Sequence, residues 1–212
     1  MSKPTSRRAH LAGATADIHE ALHGAAPFAR IAQGRIGAAG YGALLQLLLR
    51  YHSGMAGICE TGAQHLGIPQ LAAAHRARIA RLEQDLAFLN GLPVAAKLEP
   101  ARDGAFSVGC LYTVLGSTLG GKVISRQLES FLPDGCGRSF FAGSGDDALY
   151  WRLFCDRLEE RNFPQTGIEA GARYAFARFA ALMDDWRDET VTPWPAARDG
   201  GGGRWISSPQ IG

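Results

Sequence analysis

The chain is predicted to be all-α, a single bundle of about six to eight helices. Three observations predict this. Apolar residues recur every three or four positions through nearly the whole chain. No run alternates apolar and polar residues as a half-buried strand would. The punctuation is helical, with Gly24, Gly67-Ile68-Pro69, Asn90-Gly91-Leu92-Pro93, Pro133-Asp134-Gly135 and Pro164 falling between the periodic stretches.

Leu11, Thr15, Ile18 and Leu22 form one stripe on a first helix from about Ser6 to Leu22, and Gly24 stops it. A short helical turn follows from Pro27 to Gln33. A long helix runs from about Ala38 to Leu66, and its YGALLQLLLRYH segment is apolar almost all round, as in the middle of a bundle. Gly67 and Pro69 end it. The next helix, about Leu71 to Leu89, carries Arg76, Arg78, Arg81, Glu83 and Asp85 among its leucines and reads as an amphipathic surface helix. Asp103 caps a helix that carries on to about Phe131. A loop from Pro133 to Gly145 leads into a helix with Tyr150, Leu153, Phe154 and Leu158 inward. Pro164 separates it from a last helix, about Thr166 to Asp188. The helical domain is taken as residues 1–189. Residues 190–212, rich in proline and glycine, read as a flexible tail.

A net charge of +2 argues against a nucleic-acid-coating protein. Cys59, Cys110, Cys136 and Cys155 form no CxxC and read as free thiols in a reducing cytoplasm. The N-terminus lacks the apolar core of a secretory leader. The uncharged run Gly104–Gly121 is rich in Gly, Ser and Thr, which disfavours a membrane span.

Two stretches carry chemistry. His19-Glu20-Ala21-Leu22-His23 matches H-E-x-x-H, which on a helix sets two imidazoles one turn apart for zinc. No strand is available to align a peptide beside it, and no third ligand is evident. His19 alone has two other readings on the buried stripe of the first helix: a core imidazole, or a single axial ligand to a haem iron. His10, His52, His65 and His75 read as structural. The second stretch is CLYTVLGSTLGGKVISRQ, residues 110–127. Gly116 and Gly120 fall on one stripe with Tyr112, bordered by Gly109, Thr113 and Ser117. Such a stripe commonly meets another helix. The Gly120-Gly121 pair exceeds what close packing needs and is a place for a helix to bend.

Together these residues are similar to a known family. ATADIHEALH resembles the first helix of the heme oxygenases, and LYTVLGSTLGG resembles their distal helix, where G-x-x-x-G-G lies over haem. The Ser-Thr between the glycines is most similar to the bacterial enzymes associated with bacteriophytochromes. The resemblance runs from about His10 to Trp186. It implies haem between the first helix and a kinked distal helix, as substrate and cofactor. It further implies His19 as the iron ligand, contact at Gly116, Gly120, Gly121 and Tyr112, and Ser117 holding distal water. Ser117 stands where many members have aspartate. Leu115 replaces a glutamate of the closer relatives, and Ala12 a basic residue. Arg152 and Arg157, with Lys122 and Arg126 behind them, are the candidates for the haem propionates.

The implied reaction is oxidative cleavage of haem to biliverdin, carbon monoxide and ferrous iron. It uses O2 and an external electron donor, a ferredoxin or other reductase, and a bacteriophytochrome could receive the product. No nucleic-acid or membrane partner is expected. The alternatives are a non-catalytic haem binder of the same fold, an HExxH zinc hydrolase, and a thiamin-degrading hydrolase with Cys110 as nucleophile.

Overall fold

The structure, a computed structural model, describes residues 6–93 and 96–187. The expected tail from 190 onward lies outside the described residues. All secondary structure among those described is helical: α1 (Arg7–Ala14), α2 (Ala16–His23), α3 (Ala26–Ala32), α4 (Ala38–Gly54), α5 (Ala56–Leu66), α6 (Gln70–Phe88), α7 (Gly104–Gly116), α8 (Thr118–Gln127), α9 (Ser139–Ala142), α10 (Asp147–Glu160) and α11 (Gln165–Asp184).

Helices outnumber the expectation because a single turn, α9, forms inside the predicted loop Pro133–Gly145 and three predicted helices break, each for a local reason. The first breaks at Thr15, whose hydroxyl donates to the Leu11 carbonyl at 2.8 Å. The long one breaks at Met55, where the Gly54 carbonyl accepts the Glu99 amide at 3.0 Å. The glycine helix breaks at Ser117. Hydrogen bonds supplied from elsewhere in the chain, or from nearby hydroxyls, compete with the helix at these points, and apolar periodicity does not register them.

At the centre, α7 packs between α5 and α11. Side chains are excluded from both seams. A Cβ on Gly62 would lie 2.6 Å from the Ser107 carbonyl oxygen, and Cβ atoms on Gly109 and Gly171 would lie 1.9 Å from the Ile168 and Phe106 carbonyl oxygens. Small residues let the backbones meet, and the surrounding leucines, with Val108, Leu111 and Val114 at 0% exposure, form the core.

Several expectations are corrected. On α6, Arg78 and Asp85 are buried at 4% and 1% exposure, on one stripe with Leu71, His75 and Leu82. Leu153 on α10 faces outward, at 39% exposure. His19 is exposed instead of lying on a buried stripe, because the break at Thr15 turns α2 relative to α1. The four cysteines are free, as expected. None of the helices in the described residues is long and apolar enough to cross a membrane.

Candidate functional site

The break at Thr15 frees α2 to take its own direction, and α11 fixes that direction. The Arg173 guanidinium donates to the Ala14 carbonyl at the end of α1 and pairs with Asp17 at 3.3 Å. The Asp17 carboxyl is held below its usual range, first by the Ile18 backbone N–H and then by Arg173. From Asp17 the helix presents His19, whose ring meets His23 edge-on at 4.6 Å and Phe176 edge-on at 5.9 Å. Phe176 is a wall residue of a cavity of about 250 Å³, so His19 stands at its border.

That cavity lies between α2–α3 and α7–α8. Leu22, Phe28, Phe176 and Phe179 make one apolar side. Tyr112, Gly116, Leu119, Gly121 and Ile124 make the other, and Leu48, Tyr51, Phe140, Phe141 and Trp151 close it. Tyr112 stacks in a tilted group with Trp151 at 5.5 Å and Phe154 at 6.3 Å.

The glycines divide into two kinds. A Cβ on Gly121 would come within 2.7 Å of the Phe141 carbonyl oxygen, so its bareness is required by α9. A Cβ on Gly116 would only touch the Trp151 ring at 3.5 Å, an ordinary contact, and one on Gly120 would meet nothing within 4 Å. The protein itself gives little packing reason for Gly116, which lines the cavity, and none for Gly120, which is exposed and lies just outside the lining.

Polar groups gather at one corner, where the helix breaks. Ser117 donates its hydroxyl to the Val114 carbonyl at 2.8 Å, and Thr118 donates to Leu115 at 2.7 Å. Arg78 reaches in from α6. Its guanidinium donates to the Val114 carbonyl at 2.7 Å and to Ser117 Oγ from both Nη atoms at 3.3 Å, and lies 4.7 Å from the Phe140 ring centroid. Burial lowers its pKa to about 10, with Asp147 opposing, so it stays a cation at neutral pH. Asp147 also lines the cavity and accepts from the Ser144 amide and hydroxyl, each at 2.9 Å. His52, another lining residue, meets buried His75 at 3.1 Å between Nδ1 and Nε2. Burial, aided by the charge of Arg78, pushes both imidazoles down, His75 to about 3, so both are neutral.

Sequence reasoning missed Arg78, His52 and Asp147 as cavity residues, and Arg173 as the clamp on α2. A signal existed for Arg78. His75, Arg78, Leu82 and Asp85 share the three-to-four spacing of the leucines, so the polar residues belong to the buried stripe. Of the basic candidates, Arg152 is exposed on α10, and Arg157 pairs with Glu160 at 3.3 Å. Neither lines the cavity, nor do Lys122 and Arg126 on α8. Leu115 is buried at 3%, outside the lining, and Ala12 is exposed.

Two alternatives lose their residues. Cys110 donates its thiol to the Gly171 carbonyl at 3.2 Å, and burial pushes its pKa up to about 12, so it is not poised as a nucleophile. No group of three His, Cys, Asp or Glu side chains suited to a metal occurs among the described residues, which leaves HEALH without a third ligand.

A flat, largely apolar ligand fits what remains: bare backbone on one face, aromatic walls, and a histidine at the opposite border whose imidazole makes no hydrogen bond among the described residues. A family model described as heme oxygenase matches residues 7–185. A curated heme oxygenase from Xanthomonas campestris pv. campestris is 35% identical over 160 residues, which is 72% of this chain and 94% of that protein. The NO- and CO-bound heme oxygenase of Neisseria meningitidis is structurally similar, with a TM-score of 0.69 and 25% identity over 85% of this chain and 91% of that one. The heme oxygenase-1 of the cyanobacterium Synechocystis, in complex with heme, has a TM-score of 0.66 at 18% identity, over 85% of this chain and 92% of that one. That of Leptospira interrogans has a TM-score of 0.68 at 18% identity, over 85% and 100%. With the match spanning nearly all of the described helices, the chain belongs to the heme oxygenase family, enzymes of haem degradation.

Proposed function

We propose that the cavity between α2 and α7–α8 takes haem, with His19 as its axial iron ligand and the backbone at Gly116 and Gly120 against its other face. The observation that carries this reading is Gly116, which lines the cavity and whose missing side chain would meet only the Trp151 ring at an ordinary 3.5 Å. Bound haem supplies the redox chemistry and is itself the substrate, opened to biliverdin with release of carbon monoxide and ferrous iron. The chain's own residues orient it and control water. Thr15 and Arg173 set the angle at which His19 is presented. Tyr112, Trp151, Phe176 and Phe179 exclude bulk water from the apolar sides.

At the polar corner, Arg78 provides a positive charge and hydrogen-bond donors. Ser117 Oγ donates to Val114 and accepts from both Nη atoms of Arg78 at 3.3 Å, so it would hold ordered water by exchanging one of those long bonds for it. The neutral His52–His75 pair adds no charge there. Gly121 takes part mainly by letting α9 close against α8. Arg152, Lys122 and Arg126, with Arg157 if it leaves Glu160, are the cations that would hold the haem propionates outside the cavity lining. O2 and electrons come from outside, through a ferredoxin or other reductase. The site of action is the cytoplasm, and biliverdin can pass to a bacteriophytochrome. Residues 1–189 form the working domain and 190–212 a tail.

The test is an absorption spectrum. Hemin added to the purified protein is expected to give a Soret band that, under reductant and air, gives way to biliverdin absorption. A Soret band that persists would leave only a haem carrier. Hemin bound with unchanged affinity by His19→Ala would remove the axial assignment.

A further inference from the structure

Helix α6 carries a second buried charge, two turns beyond Arg78, that does not line the cavity. Asp85 is 1% exposed. Its Oδ1 accepts the Ser139 amide at 2.9 Å and the Ser139 hydroxyl at 2.7 Å, and its Oδ2 accepts the Phe140 amide at 2.8 Å. These are the opening N–H groups of α9, a single turn of four residues too short to hold itself. Arg138, just before it, is bound to α8 and its approach, donating to the Leu132 carbonyl at 2.8 Å and to Ser125 Oγ at 2.8 Å. Phe140 is thus fixed by its backbone from α6. Its ring lies beneath the Arg78 guanidinium at 4.7 Å and meets the His52 ring at 5.2 Å. An ionised carboxylate is a costly way to cap one helical turn, because burial disfavours its charge. Three short, charge-assisted bonds offset that cost and fix Phe140 more tightly than a neutral cap would.

We infer that Asp85 is a positioning residue for the polar corner of the cavity: by fixing Phe140 it fixes the face on which Arg78 rests, and so keeps the guanidinium turned onto Val114 and Ser117. The inference deepens the haem-cleft reading and rests on it for its catalytic meaning, but the geometry it concerns exists without ligand. Asp85→Asn keeps the shape yet puts an amide donor against one of the two N–H groups. Phe140→Leu leaves Asp85 intact and removes the aromatic face. Ser139→Ala removes only the hydroxyl bond and keeps both backbone bonds.

The experiment is NMR of the guanidinium N–H protons of Arg78 in the haem-free protein, assigned by their loss in Arg78→Lys. The parent is expected to show slow exchange with water. Asp85→Asn and Phe140→Leu are each expected to speed it about tenfold, as loss of one bond to a charged group allows. Ser139→Ala should leave it within about twofold. A merely structural Asp85 would lower the melting temperature in Asp85→Asn and leave Arg78 exchange unchanged, which would overturn the inference. Should Asp85→Asn not fold, unchanged exchange in folded Phe140→Leu overturns it equally. Hemin titration of the parent runs beside it. Absence of a Soret band there would sink the haem reading and leave the exchange result standing on its own.

Discussion

If the stripe at Gly116 and Gly120 faces a ligand and that at Gly109 and Gly121 faces protein, alanine at the two kinds of site must act oppositely on the haem-free and haem-loaded states. In Gly120→Ala the new methyl enters open space near the start of α8. Alanine favours the helix by about 0.5–1 kcal/mol in an interior position, and the lower end applies this near an N-terminus. For a chain of this size that raises the melting temperature of the haem-free protein by about 1–2 °C. If the ligand face runs on from Gly116 to Gly120, just beyond the cavity lining, the same methyl stands against it. Overpacking costs about 1–3 kcal/mol, so hemin affinity should fall about tenfold or more. Gly121→Ala reverses the order. Its methyl meets the Phe141 carbonyl oxygen at 2.7 Å, and backbone cannot swing away as a side chain can. The haem-free protein should lose about 1–3 kcal/mol. Thermal melts without hemin and Soret titrations with it measure both quantities on the same variants. A Gly120→Ala protein that melts early, or that binds hemin as the parent does, would refute the division of the glycines and with it the main support for the cleft.

Three further outcomes are expected. His19→Ala should abolish the axial-histidine signature in the electron paramagnetic resonance spectrum of the hemin complex, whereas His23→Ala, at the last residue of α2, should keep it; the reverse result would favour the other imidazole. Arg173→Ala releases α2 from α11, and hemin dissociation should speed several-fold with little change in melting temperature, because the ion pair with Asp17 is exposed and contributes little stability by itself; unchanged dissociation would remove the clamp's role. The buried neutral histidines make the fold acid-sensitive. An unfolded imidazole takes up its proton near pH 6.5, while His75 resists until about 3, so below 6.5 the unfolded chain binds more protons. Stability is therefore complete above that pH and is lost as pH falls toward 3, by about 2 kcal/mol at pH 5 for His75 alone. Burial raises the Asp85 carboxyl, which acts with the opposite sign and equally in parent and variant. Urea unfolding at pH 7 and 5 should show a smaller loss in His75→Gln than in the parent, and equal losses would refute the assignment.

The helices were legible because each buries an apolar stripe, and a stripe leaves a three-to-four spacing whatever it packs against. What spacing cannot carry is the partner of a polar group. Arg78 and Asp85 were read as surface charges because charge usually means solvent, yet each is satisfied by backbone distant in sequence, Val114 for one and Ser139–Phe140 for the other. The breaks at Met55 and Ser117 share that origin, since Gly54 and Val114 give their carbonyls to Glu99 and Arg78. His19 was legible as a residue but not in its exposure, which follows from the turn at Thr15.

The division of labour along the glycine helix follows from the same contrast. Gly109 and Gly121 are bare because a carbonyl oxygen sits where their Cβ would be, so the contacts that require them hold the folded chain together. Gly116 and Gly120 lack that reason, and alanine in either position would be tolerated or favoured if folding alone were the requirement. A site that forgoes helix stability without a packing return is the kind of local inconsistency expected where a ligand sets the requirement. The break between them is held from outside by Arg78, and Arg78 rests on a ring that Asp85 fixes. Helix α6, which lies outside the cleft except at Arg78 and carries no part of either recognisable motif, thereby reaches the break in the glycine helix from the side away from both motifs' own residues.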